Sequence, residues 1–226
     1  MYVRWFGQSA FSLTGEKTVF VDPFGDMSAA AARGMQFDYP PIEGVTADLL
    51  LVTHEHGDHN GVDAVGGDPV VLRSRAGRFE SPVGEVVGVA SEHDAAAGTV
   101  RGQNTIFCFS LDGLRICHLG DFGQPALRPE QRDAIGAVDL LFVPAGGGPT
   151  VGGEAAADVV RALSPRLVVP MHYRTPALSF LDPPDAFLDA LGAPVVRLEE
   201  SEAEVEPLLD RGVALLSPPS AEGMIP

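Results

Sequence analysis

The segment LLLVTHEHGDHNG constrains this chain more than any other: an apolar, strand-like run ends in His54, His56, Asp58 and His59. Any fold must hold three imidazoles and a carboxylate together at one strand end. Left unpaired and buried, such groups would each cost roughly 1–3 kcal/mol, several kcal/mol in all. A divalent metal removes that cost, since imidazole and carboxylate at this density are ligands, and alternate residues of one loop can converge on different ions. A metal site is the reading this segment supports.

Around it, apolar runs broken by Gly, Pro and Asp dominate the first half: YVRWF, SAFSLT, TVFVD, ADLLLVT, PVVL and GEVVGVA. These predict strands. After Asp139 the pattern becomes strand and helix in turn, with VDLLFVP, EAAADVVRALS, RLVVPMH, PDAFLDALG and PVVRL. In NTIFCFSLDGLRICHLGD, Asp112-Gly113 signals a two-residue type I′ hairpin turn. Leu111 then faces Leu114, Cys108 faces Cys117 and Asn104 faces Asp121 on one face, while His118 points to the other face as a packed core residue. Asn104 is therefore expected beside Asp121, steadying its carboxylate, with a plain turn role after Arg101-Gly102 as the alternative. A chain of 226 residues suits one domain, read as residues 1–216 followed by a loosely held tail, 217–226. The long connection from Pro23 to Ala47 is expected to be functional or mobile.

Fifteen Lys and Arg against 31 Asp and Glu leave a net charge of −16. That balance repels phosphate backbones and argues against nucleic acid. No run reaches the roughly 20 apolar residues of a membrane span, and the first residues lack the pattern of a secretory signal, so a cytoplasmic location is expected. Cys108 and Cys117 are too few for a disulfide scaffold and are expected as reduced thiols.

The string HEHGDH resembles the HxHxDH signature of the metallo-β-lactamase superfamily. The superfamily's other motifs occur in its order, with Asp22 in VFVDPF before this string and His93 in SEHD, Asp121 in HLGD and His172 in VVPMHY after it. The arrangement WFGQSAFSL, RGQNTIF, GLRICHLGDFG and VVPMHYRT looks closest to the short cytoplasmic branch that includes L-ascorbate-6-phosphate lactonase and many uncharacterised metal-dependent hydrolases. The resemblance implies an α/β fold, an αββα sandwich with the metals at one edge. It implies that His54, His56 and His93 hold one Zn²⁺ and that Asp58, His59 and His172 hold a second, with Asp121 bridging; Mn²⁺ or Fe²⁺ would also suit the ligands. A hydroxide between the ions would attack a lactone, ester, amide or phosphoester of a small molecule, and Asp58 would orient it and shuttle its proton.

Asp22 reads either as the partner of a ligand histidine or as a turn starter before proline. Tyr173 and Arg174 follow His172, where each is either a contact to an anionic substrate or an ordinary solvated side chain. Gly146-Gly147-Gly148 is read as a flexible loop shaping the pocket, since it lacks the lysine of a phosphate loop. His56 stands where flavodiiron relatives have glutamate, and Asp121 where secreted β-lactamases have cysteine, so neither activity is expected. A non-hydrolytic metal enzyme on the same fold and a non-catalytic metal-binding protein are the alternatives to a hydrolase. A homo-oligomer is compatible with the sequence.

Overall fold

The period-two alternation of the first strands decides the architecture. In the computed structural model, which describes residues 1–220, β1 (Tyr2–Gly7), β2 (Ala10–Thr14), β3 (Thr18–Val21) and β4 (Leu49–Val52) lie side by side. Trp5, Phe11, Val19, Val21, Leu49 and Leu51 point to one face and join the main core. Phe6, Ala10, Phe20 and Leu50 point to the other and form a second apolar cluster with Phe24, Phe37, Tyr39 and Ile42. A sheet buried on both faces needs a cover on each. On one side the cover is a second sheet; on the other it is the Pro23–Ala47 connection, with one short helix, α1 (Ser28–Ala31), that buries none of its own residues.

Two further strands, β5 (Val70–Arg73) and β13 (Glu202–Glu204), flank this six-stranded sheet, whose order is β13-β1-β2-β3-β4-β5. The second sheet has eight strands. It contains β6 (Gly77–Ser81), β7 (Gly84–Glu92), β8 (Gln103–Leu111), β9 (Leu114–His118), β10 (Leu140–Pro144), β11 (Leu167–Met171), β12 (Val195–Arg197) and β14 (Gly212–Leu215). Their order is β12-β14-β11-β10-β9-β8-β7-β6. Between the sheets, Phe11 meets Phe142 at a ring-centroid distance of 4.5 Å and His118 at 6.1 Å. Truncating the fully buried Phe11 to alanine would cost about 3–5 kcal/mol.

Helices α2 (Pro129–Ile135), α3 (Gly153–Leu163) and α4 (Asp185–Leu191) pack on and beside the large sheet, α2 on β7 and α3 on β10 and α4. Alanine-rich α3 buries Ala156, Ala157, Val159, Val160 and Leu163 along one stripe. Its Glu154 and Arg161 lie in the first and last turns, where each complements the helix dipole. Because β10 and β11 run parallel, α3 serves as their crossover. The result is the expected two-sheet sandwich of the metallo-β-lactamase type.

The hairpin forms in the expected register: Cys108 pairs with Cys117 and Leu111 with Leu114, and both cysteines are buried free thiols. Asp112 and Gly113 take φ of 50° and 80°, the left-handed pair a type I′ turn requires. Strands β6, β13 and β14 and helix α2 went unread in the sequence. Of the tail expected to be loose, Ser217 is tied to Glu200 and Leu198 by hydrogen bonds of 3.1 and 2.8 Å. Residues 221–226 of that tail lie outside the described residues. No helix among the described residues is long and apolar enough to cross a membrane.

Candidate metal centre

Strand ends from both sheets meet at one edge of the sandwich. Asp22 directly follows β3, His54 to His59 follow β4, His93 follows β7, Asp121 lies just beyond β9, and His172 follows β11. The turn between β1 and β2 brings in Gln8 and Ser9. Gln8, Asp22 and His172 hold φ of 52°, 51° and 50°. Each costs on the order of 1 kcal/mol for a residue with a Cβ, and such strain persists where packing over-determines a working position.

The carboxylate of Asp121 is the hub. Its Oδ2 lies 3.2 Å from His93 Nε2, 3.2 Å from His172 Nε2, 3.4 Å from His59 Nε2 and 3.9 Å from His54 Nε2. Three donor groups have the convergence a metal ion needs: His54, His56 and His93; His54, His59 and Asp121; and Asp58, His59 and His172. The first and third match the two ligand sets implied by the family resemblance, and the second joins them through Asp121.

Neighbouring groups fix which ring nitrogen stays free. Asp22 is fully buried; its Oδ1 accepts the Thr53 N–H at 2.7 Å, and its Oδ2 accepts Thr53 Oγ1 at 2.7 Å and His59 Nδ1 at 2.9 Å. Since Thr53 has one hydroxyl proton and gives it to Asp22, its 3.1 Å contact with His54 Nδ1 requires that nitrogen to donate. The Pro149 carbonyl accepts from His93 Nδ1 at 3.1 Å. His54, His59 and His93 therefore all donate from Nδ1 and turn Nε2 toward Asp121, the orientation in which a ligand histidine is held.

Electrostatics agree with this arrangement. Burial pushes the His54 pKa down to about 3, keeping the ring neutral. Burial disfavours charge on His59 as well, but Asp121, Asp58 and Asp22 outweigh it and raise its pKa. For Asp121 burial favours the acid, and the facing His172 and His59 outweigh that and hold the carboxyl well below its usual range. His59 Nε2 is fully buried without a hydrogen-bond partner, 3.4 Å from Asp121 and 3.6 Å from Asp58. A nitrogen between two carboxylates needs a cation, either a proton or a metal ion, and the surrounding imidazoles fit the metal.

Asn104 enters the site differently from the hairpin expectation. Its Nδ2 donates to the Leu119 carbonyl and to Ser91 Oγ, both at 2.8 Å, and its Oδ1 accepts the Asp121 main-chain N–H at 3.1 Å. It holds the backbone beneath Asp121 without touching the carboxylate, because the ladder ends at the Phe107–His118 pair and the chain turns at Gly120. The contact to that carboxylate is Ser9 Oγ, at 3.4 Å from Oδ1. His118 is the expected core residue: Nδ1 accepts the Gly120 N–H and Nε2 donates to the Ser9 carbonyl.

Tyr173 and Arg174 do not reach the cavity over the donors. Tyr173 is buried against Trp5, with ring centroids 5.4 Å apart. Arg174 Nε donates to the Leu181 carbonyl at 2.6 Å and an Nη lies 4.0 Å from the Asp182 carboxylate, which holds the side chain outside the cavity lining. Beyond the last residue of a strand the chain turns away, so following His172 in sequence did not mean facing the site. The glycine run shapes this edge by closeness: a Cβ on Gly146 would lie 2.4 Å from the His172 carbonyl oxygen. Gln8 went unread, and its Nε2 donates to Asp58 Oδ2 at 3.0 Å. Only its place after Gly7 at a predicted strand end could have marked it.

Sandwich and site together define a protein of the metallo-β-lactamase type. Residues 2–172 match the family model described as a beta-lactamase superfamily domain, and the chain belongs to that superfamily. A UPF0173 metal-dependent hydrolase of Thermococcus onnurineus is 34% identical over 199 residues, covering 76% of this chain and 84% of its own length. Another, from Pyrococcus abyssi, is 32% identical over 231 residues, covering 88% and 97%. The crystal structure of a Thermotoga maritima protein, assigned to the Zn-dependent hydrolases of the superfamily, matches with a TM-score of 0.77 at 32% identity, covering 96% of this chain and 98% of that one. Within the superfamily the chain falls in this UPF0173-like branch.

Proposed function

We propose that this chain is a dinuclear metal-dependent hydrolase that cleaves a lactone, ester, amide or phosphoester of a small molecule. The observation that carries the reading is the orphaned, buried His59 Nε2 lying between Asp58 and Asp121, where the donor groups meet. His54, His56 and His93 would hold one ion, Asp58, His59 and His172 the other, and Asp121 both. Zn²⁺ suits the imidazole majority, and Mn²⁺ or Fe²⁺ suits the carboxylates. When bound, two such ions supply Lewis acidity and bring the pKa of coordinated water down to about 7.

The chain's own groups supply order. Asp22, Thr53 and the Pro149 carbonyl hold three rings in the ligand tautomer, and Asn104 fixes the backbone under Asp121. The Gln8 amide occupies Asp58 Oδ2, which leaves Oδ1 to accept a proton as water adds to the substrate. The cavity above has a volume of about 450 Å³, the scale of a small-molecule site.

Elemental analysis tests the assignment. Purified protein should carry up to about two equivalents of metal, and the His54→Ala, His56→Ala double variant should carry less. Turnover on a panel of lactones and phosphoesters should vanish on chelation and return with Zn²⁺, Mn²⁺ or Fe²⁺. Unchanged metal content in the double variant would contradict the reading.

A further inference from the structure

The wall of the cavity is built partly from two segments that carry no metal donor of their own: the connection after β3 and the loop after His93. Each contributes one arginine, Arg33 and Arg101. Neither guanidinium makes a hydrogen bond or ion pair among the described residues, whereas Arg73, Arg78, Arg128 and Arg166 all sit on carboxylates. Arg115, Arg132, Arg197 and Arg211 are likewise without a carboxylate partner, so what distinguishes Arg33 and Arg101 among the described residues is their place: of the arginines, these two line the cavity that holds His56, Asp58, His93, Asp121 and His172.

Both arginines stand on organised backbone. The Asp94 carboxylate accepts the N–H groups of Ala96, Gly98, Val100 and Arg101 at 2.7–3.1 Å, so the loop is wound around one side chain and delivers Arg101 to the cavity. Arg33 lies in the turn closing α1, where its own N–H and that of Met35 both reach the Ala30 carbonyl. Asp26 also lines the cavity, but its carboxylate is occupied by the N–H and hydroxyl of Ser28, each at 2.9 Å. The remaining wall is apolar and open: Met35 is 41% exposed and Phe180 47%.

We propose that Arg33 and Arg101 form an anion subsite, so that the substrate is a small amphiphile with a carboxylate or phosphate group separated by an apolar spacer from the bond that is cleaved. This rests on the hydrolase reading above. A planar guanidinium matches both oxyanions through paired N–H donors. With a net charge of −16 the protein offers an anion no general attraction, so these local cations must supply it. Met35 and Phe180 supply the contact for the spacer.

Calorimetry on Zn²⁺-loaded protein tests the subsite, using alkylphosphonates to occupy the metals and their ω-carboxy and ω-phosphoryloxy counterparts of matched, increasing chain length. At one spacer length an ω-anion should bind wild type at least about tenfold tighter than the plain phosphonate, the loss one charge-assisted hydrogen bond represents. Which anion gains more separates carboxylate from phosphate. In Arg33→Gln, Arg101→Gln protein that ratio should collapse toward one. Should no length show a preference, or should the double variant keep it, while phosphonate binding still requires His54 and His56, the subsite is overturned and the hydrolase reading stands. Phosphonate binding that is absent, or that survives His54→Ala, His56→Ala, overturns the metal reading and the subsite with it.

Discussion

Asp22→Asn is the sharpest probe of how the centre is held, because it changes charge and acceptor count without changing shape. Asparagine tolerates the left-handed backbone of this position, so the φ of 51° adds no new strain. The carboxylate accepts three hydrogen bonds, from Thr53 N, Thr53 Oγ1 and His59 Nδ1, and an amide has only one acceptor oxygen. With that oxygen placed to keep Thr53 Oγ1 and His59, the NH₂ faces the Thr53 N–H across 2.7 Å; the opposite flip orphans two donors. The better arrangement leaves two buried donor groups unpaired, the Thr53 N–H and the amide NH₂ that faces it, at about 1–3 kcal/mol each, and weakens the two remaining bonds by roughly 1 kcal/mol each as the acceptor loses its charge. A total of at least about 4 kcal/mol corresponds to a fall in Tm of roughly 10 °C or more for a chain of this size. Thermal unfolding in chelator isolates this term, since bound metal would add its own. With His59 no longer fixed, metal affinity should drop by about 10–100-fold in a competition titration. A metal-free Tm within about 2 °C of wild type, together with unchanged metal affinity, would refute the reasoning and leave Asp22 as a turn residue.

Asn104→Leu removes three hydrogen bonds beneath Asp121 and should lower both stability and metal content; wild-type values for both would show that the backbone stands without it. Gly146→Ala drives a Cβ into the His172 carbonyl and should reduce metal binding or turnover, whereas Gly152→Ala, with open space at its Cβ and no left-handed φ, should cost no more than the roughly 1 kcal/mol by which alanine is the poorer N-cap of α3. If the two alanine variants behave alike in denaturant, close approach is not why Gly146 is there. Acid should destabilise the metal-free protein. Burial puts His54 at about 3 and also lowers His118, while unfolded histidine titrates near 6.5, so between those values the unfolded chain binds protons the folded chain refuses. Stability then falls with pH by up to about 1.4 kcal/mol per unit for each ring. His59, shifted upward, is protonated in both states below 6.5 and leaves that slope alone. Equal denaturation midpoints at about pH 6.5 and pH 5 would contradict this.

Local sequence determined whatever depends on neighbours along the chain. Apolar runs broken by Gly, Pro and Asp announced β1 to β4, and Asp112-Gly113 set a register that placed Cys108 on Cys117, because turn geometry leaves one pairing for the strands it joins. The density of donors from His54 to His59 marked a metal site for the same reason. Pro129 at the first turn of α2 was a legible helix start that went unread, while β13 and β14 are short strands recruited by partners far away in sequence. Tertiary structure alone decided which atoms meet. That Asp22 serves His59, that Pro149 orients His93 and that Asn104 grips the Asp121 backbone in place of its carboxylate follows from loops crossing between sheets. Arg33 and Arg101 belong to the same class: 68 positions separate them, from 33 to 101, and only the folding of two connections over one cavity puts both at the metal centre. Tyr173 and Arg174, next to a donor in sequence, were carried away by one turn of backbone, because adjacency along the chain fixes distance between α-carbons but not the direction in which side chains point.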